Sequence, residues 1–168
     1  MAHRFCCRFF SSSSASSSAV PLLWRSPNPP STTLEILSWG RGSSGQLGGG
    51  IEEIRFYPTP LASLLLPPNF RLAPVSGRLS NPEDAPAPDA DSSSVVDVGI
   101  SCGLFHSSVL VDGRFWIWGK GDGGRLGLGH ENSVFVPTEN PNLDGLRSIA
   151  LGGLHSAALT TRGDVFTW

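Results

Sequence analysis

Short apolar runs separated by glycine-rich turns fill the second half of the chain. Residues 107–111 and 114–118 are rich in β-branched and aromatic residues, and they flank Asp112-Gly113, a dipeptide that supplies the positive φ angles of a tight hairpin turn. A looser copy of this hairpin follows, with Arg162-Gly163-Asp164 at its turn. Apolar residues fall on both faces of the first hairpin, so the pattern predicts strands that are covered on both sides. The fold class indicated is all-β.

The same features recur at two fixed offsets. Residues 39–59 align without a gap on residues 118–138, and eleven of these 21 positions are identical. At an offset of 49, residues 100–107 align on residues 149–156 and keep Ile, Gly, His and Ser. The basic unit is therefore about fifty residues long, and an insertion lengthens the first spacing. Such units, built from strands that are apolar on both sides, predict a partial β-propeller of repeated antiparallel blades.

Five segments follow from the repeats and from composition. We expect a leader at residues 1–34, a first partial repeat at 35–61, an insertion loop rich in proline and acidic residues at 62–94, a second repeat at 95–145 and a truncated third repeat at 146–168. The second half of the insertion is expected to be a disordered surface loop. The last residue, Trp168, aligns with Trp39 and Trp118 at the start of a motif, which predicts that the sequence is a truncated form of a longer protein.

The leader has the composition of an organelle-targeting peptide. It contains Arg4, Arg8 and Arg25, nine serines and no acidic residue, and the first acid is Glu35. A transit peptide is Arg-rich, Ser-rich and poor in acids, so we predict a disordered leader that directs the protein to an organelle. A short helix would carry Arg4 and Arg8 on one side, which favours the mitochondrion, with the plastid as the alternative.

Beyond the leader the chain is acidic. Nine Arg and Lys residues stand against fourteen Asp and Glu residues, so no general attraction to nucleic acid phosphates and no direct nucleic acid binding are expected. No apolar run is long enough to span a membrane. Cys102 is the only cysteine beyond the leader, which leaves no internal disulfide and no thiolate zinc site there.

Two signatures carry a family resemblance. The string Trp118-Gly-x-Gly-x-x-Gly-x-Leu-Gly-x-Gly-His130, preceded by Ile-x-Cys-Gly-x-x-His-Ser, resembles the repeat of the regulator of chromosome condensation family. This resemblance implies a seven-bladed propeller with four-stranded blades, and the leader with the long insertion resembles a plant organellar branch of the family. The positions expected to form repeat turns and blade cores are Trp39, Gly40, Gly42, Gly45, Leu47, Gly48, Cys102, Gly103, His106, Trp118, Gly119, Gly121, Gly124, Leu126, Gly127, Gly152, His155 and Trp168.

Chemical alternatives for these residues are weak. Residues 119–124 and 40–45 both match G-x-G-x-x-G, but no helical pattern follows, whereas a dinucleotide site needs a helix whose amides hold pyrophosphate. His106 and His155 occupy one repeat position beside a serine, and Cys102 aligns with Leu151, so neither position demands a metal ligand. Trp116, Trp118 and Arg114 are too few for the tryptophan cluster of the light-sensing plant branch. We predict no catalytic, cofactor-binding or metal-binding residue.

The predicted function is that of a non-enzymatic protein-interaction module in an organelle. A propeller brings loops from several blades together, and function is expected in those loops. The resemblance to the organellar branch suggests support of mitochondrial RNA processing and gene expression through protein partners. The alternative is guanine-nucleotide exchange on a small GTPase, the activity of the family's founder.

Overall fold

The computed structural model describes residues 8–12, 20–27, 32–72 and 96–168. Within these residues the chain forms twelve strands, one short 3-10 turn at Asp122–Gly124 and no α-helix. The strands are β1 Arg8–Ser12, β2 Leu22–Arg25, β3 Thr32–Gly42, β4 Glu53–Leu66, β5 Arg71–Leu72, β6 Asp97–Cys102, β7 His106–Val111, β8 Arg114–Gly119, β9 Val134–Glu139, β10 Leu146–Leu151, β11 Ser156–Thr160 and β12 Val165–Thr167. The predicted all-β class is confirmed. No helix in the described ranges is long and apolar enough to cross a membrane.

The strands form three sheets that follow one another along the chain. The first has the order β1-β3-β4-β2, the second β5-β6-β7-β8-β9 and the third β10-β11-β12. Neighbouring strands are antiparallel except for the parallel pairs β2–β4 and β5–β6. We call these sheets blade 1, blade 2 and blade 3.

The central hairpin of blade 2 forms as the sequence predicts. Asp112 and Gly113 have φ angles of 52° and 79°, the two consecutive left-handed residues that a type I′ turn requires. Alternate residues of β7 and β8 then face opposite sides of the sheet. Val109 and Trp118 lie in the core shared with blade 1, whereas Leu110 and Phe115 lie in the core shared with blade 3. The predicted burial of both faces is confirmed.

The repeat extends to the pairing register. In blade 1, Ser38 pairs with Thr59 and Gly40 with Arg55. Blade 2 contains the equivalent pairs 79 residues later, Ile117 with Thr138 and Gly119 with Val134. In both blades the register shifts at the tryptophan between the two pairs, Trp39 or Trp118. A bulge at this point bends the strand as it enters the glycine loop.

Two segments differ from expectation. The leader was expected to be disordered, but Leu22–Arg25 forms β2 and Trp24 is buried in the core beside β4, because this short apolar run pairs with an otherwise open strand edge. Arg8 begins a strand and not a helix. β4 also continues past Leu61 to Leu66, since alternate apolar residues there face the core. Residues 1–7, 13–19 and 28–31 of the leader and residues 73–95 of the insertion lie outside the described residues.

Candidate functional site

Two long loops carry five of the ten signature glycines. The first joins β3 to β4 and the second joins β8 to β9. In each loop, glycine amides donate to the carbonyl of the glycine three residues earlier, which closes two consecutive turns. These bonds are Gly45 N to Gly42 O (3.2 Å), Gly48 N to Gly45 O (2.9 Å), Gly124 N to Gly121 O (3.1 Å) and Gly127 N to Gly124 O (2.8 Å). The spacing of three residues is therefore the spacing of successive turns.

This geometry does not fit a dinucleotide site. A pyrophosphate is held by free amides at the beginning of a helix, but here the second loop contains only the three-residue turn Asp122–Gly124 and then runs on to β9. The amides of Gly124 and Gly127 are already bonded inside the loop. The glycine pattern thus describes loop geometry.

The tryptophan of blade 2 is anchored on the glycine loop of blade 1. Trp118 is 1% exposed, and its indole Nε1 donates to the carbonyl oxygen of Gln46 at 2.9 Å. The hydroxyl of Ser107 on the neighbouring strand donates to the same oxygen at 3.0 Å. One main-chain acceptor of blade 1 therefore receives two hydrogen bonds from blade 2.

The same contact recurs between blade 2 and blade 3. Trp168 Nε1 donates to the carbonyl oxygen of Arg125 at 3.0 Å, and Ser156 Oγ donates to it at 2.7 Å. Arg125 lies 79 residues after Gln46, and Ser156 lies 49 residues after Ser107, which are the two offsets of the sequence repeat. Each blade is thus attached to the one before it by an equivalent pair of bonds.

The glycine that ends each turn leaves room for that tryptophan. Gly48 and Gly127 have φ angles of +76° and +65°, a conformation that side chains disfavour. A Cβ at Gly48 would lie 2.9 Å from Trp118 Nε1, and one at Gly127 would lie 2.8 Å from Trp168 Nε1. A larger residue would push the blades apart.

A phenylalanine of blade 2 also covers the first loop. The ring of Phe135 on β9 lies directly over Gly45, where a Cβ would collide with it. The carbonyl oxygen of Phe135 accepts a hydrogen bond from Gly50 N at 2.8 Å. In blade 1 the equivalent residue, Phe56, is exposed.

His106 lies inside the junction of blades 2 and 3. It is fully buried, and its Nε2 is 3.0 Å from Ser156 Oγ. Because the serine hydrogen goes to Arg125 O, the histidine must donate from Nε2, which leaves Nδ1 as the unprotonated nitrogen. Nδ1 is buried without a hydrogen-bond partner. Burial first and the Arg125 guanidinium second lower the pKa of His106 to about 4, against a smaller opposite effect of the His155 backbone.

The remaining signature residues fall around these contacts. Leu47 and Leu126 are buried, whereas Trp39 and Cys102 are half-buried. Gly40, two residues before the end of β3, and Gly119, the last residue of β8, have φ angles of 110° and 114°. A Cβ on Gly42 or Gly121 would approach a main-chain oxygen. Gly103 and Gly152 donate to the carbonyls of His106 and His155. His155 is exposed, so the two repeat histidines differ in environment.

Sequence reasoning missed the acceptors of this junction. Gln46 and Arg125 act through their main-chain oxygens, so their side chains give no signal. The two serines were visible as repeated residues beside the histidines. Asn140 was also missed: its Nδ2 donates to the carbonyls of Leu126 and Gly127 and holds the second loop.

Apolar and basic groups meet where the loops of blades 2 and 3 join. Lys120 Nζ and Arg125 Cζ lie 5.7 and 5.9 Å from the centre of the Phe105 ring. Leu104 and Leu154 are exposed, whereas Arg125 is buried and Lys120 is paired with Asp122 at 2.8 Å. Leu104 N bonds to Gly152 O, which joins the loops of blades 2 and 3. We call Leu104, Phe105, Lys120 and Leu154 the loop surface. Among the described residues no group of three or more His, Cys, Asp or Glu side chains is placed to hold a metal ion.

Stacked antiparallel sheets that are joined by a contact recurring at the repeat offset define a partial β-propeller. The chain matches the regulator of chromosome condensation (RCC1) repeat over residues 35–67 and 112–159, and it belongs to that repeat family, as the signatures predicted.

Similar proteins include the mitochondrial RCC1 domain-containing protein RUG3 of Arabidopsis thaliana, which is 60% identical over 89% of this chain and 33% of its own length. The ultraviolet-B receptor UVR8 of Arabidopsis thaliana is 33% identical over 79% of this chain and 25% of its own length. The chain thus spans a third or less of these relatives.

Solved structures share the fold. The crystal structure of Prp20p from Saccharomyces cerevisiae, described with its binding properties to Gsp1p and histones, aligns with a TM-score of 0.55 and 23% identity over 82% of this chain and 30% of its own. Yeast RCC1 (Prp20) in complex with Kap60 aligns with a TM-score of 0.52 and 22% identity over 82% of this chain and 29% of its own.

Proposed function

We propose that this chain is part of a non-enzymatic protein-interaction module that works in mitochondria. The observation that carries the proposal is the recurring blade junction. The indoles of Trp118 and Trp168 and the hydroxyls of Ser107 and Ser156 are all bonded to a preceding blade. Since the polar groups of the signature are engaged between blades, recognition is left to the exposed loops.

The loop surface is our candidate for the binding face. Leu154 is 66% exposed and Leu104 is 48% exposed. The half-exposed Lys120 lies against Phe105, the neighbour of Leu104. Exposed apolar side chains of this kind suit a protein partner that offers an apolar residue. The acidic net charge of the body disfavours direct contact with RNA.

We further propose that the module supports mitochondrial RNA processing and gene expression through its protein partners. The name of the 60% identical relative supports the compartment, and the composition of the leader agrees with it. Import of the radiolabelled chain into isolated plant mitochondria and chloroplasts tests the compartment. Uptake into chloroplasts alone would overturn the mitochondrial assignment in favour of the plastid alternative.

Proximity labelling inside mitochondria tests the binding face. The chain, fused to a biotin ligase, is expected to label RNA-processing factors, and Leu104→Asp with Leu154→Asp should remove that labelling. Leu72→Asp, which changes an equally exposed leucine on β5, is the matched control and should keep it. Unchanged labelling by the double variant would contradict a role for the loop surface.

Guanine-nucleotide exchange on a small GTPase is the competing proposal. It rests on the family's founder and receives no support from a residue of this chain. Release of labelled GDP from mitochondrial GTPases separates the two, because an interaction module without exchange activity leaves the release rate unchanged. Acceleration by the full-length protein would favour exchange.

A further inference from the structure

Strand β2 lies within the predicted leader and is nevertheless part of blade 1. It runs parallel to β4, with Trp24 opposite Leu64. Just before the strand, the carbonyl oxygen of Pro21 accepts a hydrogen bond from Ser63 N at 3.0 Å. β3 occupies the other edge of β4, so this part of β4 is paired on both sides. The contact of β2 with blade 1 therefore begins at Pro21.

Trp24 fills part of the core between blades 1 and 2. It is 7% exposed, and it belongs to the same cluster as Ile36 and Leu64, which are fully buried. Leu23 packs against this cluster. Because tryptophan has the largest apolar side chain, a blade without β2 would have a cavity there and would expose the residues that Trp24 covers. Blade 1 is therefore complete only with β2 in place.

The last residues of the predicted leader also belong to the sheet. Residues 32–34 begin β3, and Leu34 lies opposite Leu64 of β4. The side chain of Leu34 is 2% exposed. Removal of the whole predicted leader, residues 1–34, would therefore take away both β2 and the beginning of β3.

We propose that the organelle removes only residues that precede Pro21, so that the processed chain keeps β2 in blade 1. The proposal rests on the proposed function in one respect, the import of the chain into an organelle. A targeting peptide is removed by a processing peptidase, which hydrolyses one peptide bond with one water molecule and leaves a new amino terminus. β1, Arg8–Ser12, precedes Pro21, and a cut on either side of β1 leaves β2 in place.

The composition that predicts targeting is concentrated in the same part of the leader. Arg4 and Arg8 precede Pro21, as do seven of the nine serines. Arg25, the third arginine, is the last residue of β2, and its side chain is exposed. The targeting charge thus belongs to Arg4 and Arg8, whereas Arg25 belongs to the folded blade.

The test is radiosequencing of the 168-residue chain after import. The chain, labelled with tritiated leucine, is imported into isolated plant mitochondria and, separately, into chloroplasts, and its new amino terminus is sequenced. No leucine precedes Leu22, so the first radioactive cycles report the cut. We expect two consecutive radioactive cycles, from Leu22 and Leu23, in a chain that begins at or before Pro21. A cut after Leu34 would instead give one radioactive cycle at the third residue, Leu37.

Two double variants test the division of the arginines. Arg4→Gln with Arg8→Gln removes the charge assigned to targeting and should abolish import. Arg25→Gln with Arg41→Gln is the matched control, because it removes two exposed arginines from β2 and β3. We expect the control to be imported and processed as the unmodified chain is.

Trypsin treatment of the imported chain after lysis of the organelles gives a second readout. Trypsin cleaves after Arg25 only when β2 leaves β4, because a protease needs an extended segment free of its sheet neighbours. Trp24→Ala should therefore speed the release of the fragment that begins at Ser26 at least about tenfold. Leu22→Ala, which truncates a 48% exposed leucine of the same strand, is the matched control and should keep the original rate.

Four outcomes would overturn the proposal. The first is a processed chain that begins after Pro21, and the second is a chain that stays uncut in both organelles. The third is equal import of the two double variants, and the fourth is equal cleavage of Trp24→Ala and Leu22→Ala. Processing before Pro21 in chloroplasts alone would support this proposal and overturn the mitochondrial assignment, so the two fail separately.

Discussion

The two glycine loops have nearly the same backbone but different cover. The first loop is contacted by three side chains of blade 2, those of Trp118, Ser107 and Phe135. The second receives Trp168 and Ser156 from blade 3, and Gly124 has no cover from the described residues. Their φ angles and turn hydrogen bonds nevertheless agree. The loop residues therefore set the shape of the loop, and the next blade adds stability to a conformation that is already formed.

The largest effect should come from removing the tryptophan that is anchored on the first loop. Trp118→Ala deletes a buried ring and leaves Gln46 O with only Ser107 as donor, which we expect to cost about 4 kcal/mol of unfolding free energy. Trp39→Ala removes a half-buried ring outside both cores and should cost about 1 kcal/mol. Urea unfolding measures both. Equal losses would mean that Trp118 at the blade junction contributes no more to the free energy of unfolding than Trp39 does.

Glycine substitutions compare covered and uncovered loop positions directly. Gly48→Ala combines left-handed backbone strain with a clash against Trp118, for an expected loss of about 3 kcal/mol. Gly124→Ala carries the strain alone and should cost about 1 kcal/mol. The measurement is again urea unfolding. A similar loss at both positions would contradict the different cover of the two loops.

The junction of blades 2 and 3 should depend on pH through His106. Its pKa is about 4 in the folded chain and about 6.5 when unfolded, so the folded state favours the neutral ring. This contribution is complete above pH 6.5 and is lost as the pH falls towards 4, up to about 3 kcal/mol in total. His106→Gln has no titrating group there. Between pH 7 and pH 4 the free energy of unfolding of that variant should fall by about 3 kcal/mol less than that of the unmodified chain. The same pH dependence in both chains would refute the effect.

The strands could be predicted because their signals are local. Asp112-Gly113 fixes the hairpin, and alternate apolar residues in β7 and β8 mark two buried faces. The blade junction could be predicted only in part, because Gln46 and Arg125 accept through main-chain oxygens that no residue type specifies. Pairing of β2 with β4 is tertiary, and the composition of the leader concealed it.

Serine substitutions should give the smallest effects and still distinguish the two junctions. Ser107→Ala removes one of two donors to Gln46 O, so that acceptor stays bonded to Trp118 and the loss should be about 1 kcal/mol. Ser156→Ala also leaves the Nε2 donor of His106 buried without an acceptor, which should raise the loss to about 2 kcal/mol. Thermal unfolding of both variants and of Ser156→Thr, which keeps the hydroxyl, measures the difference. If Ser156→Ala were no worse than Ser107→Ala, the histidine would have another acceptor, and the assignment of its hydrogen to Nε2 would be wrong.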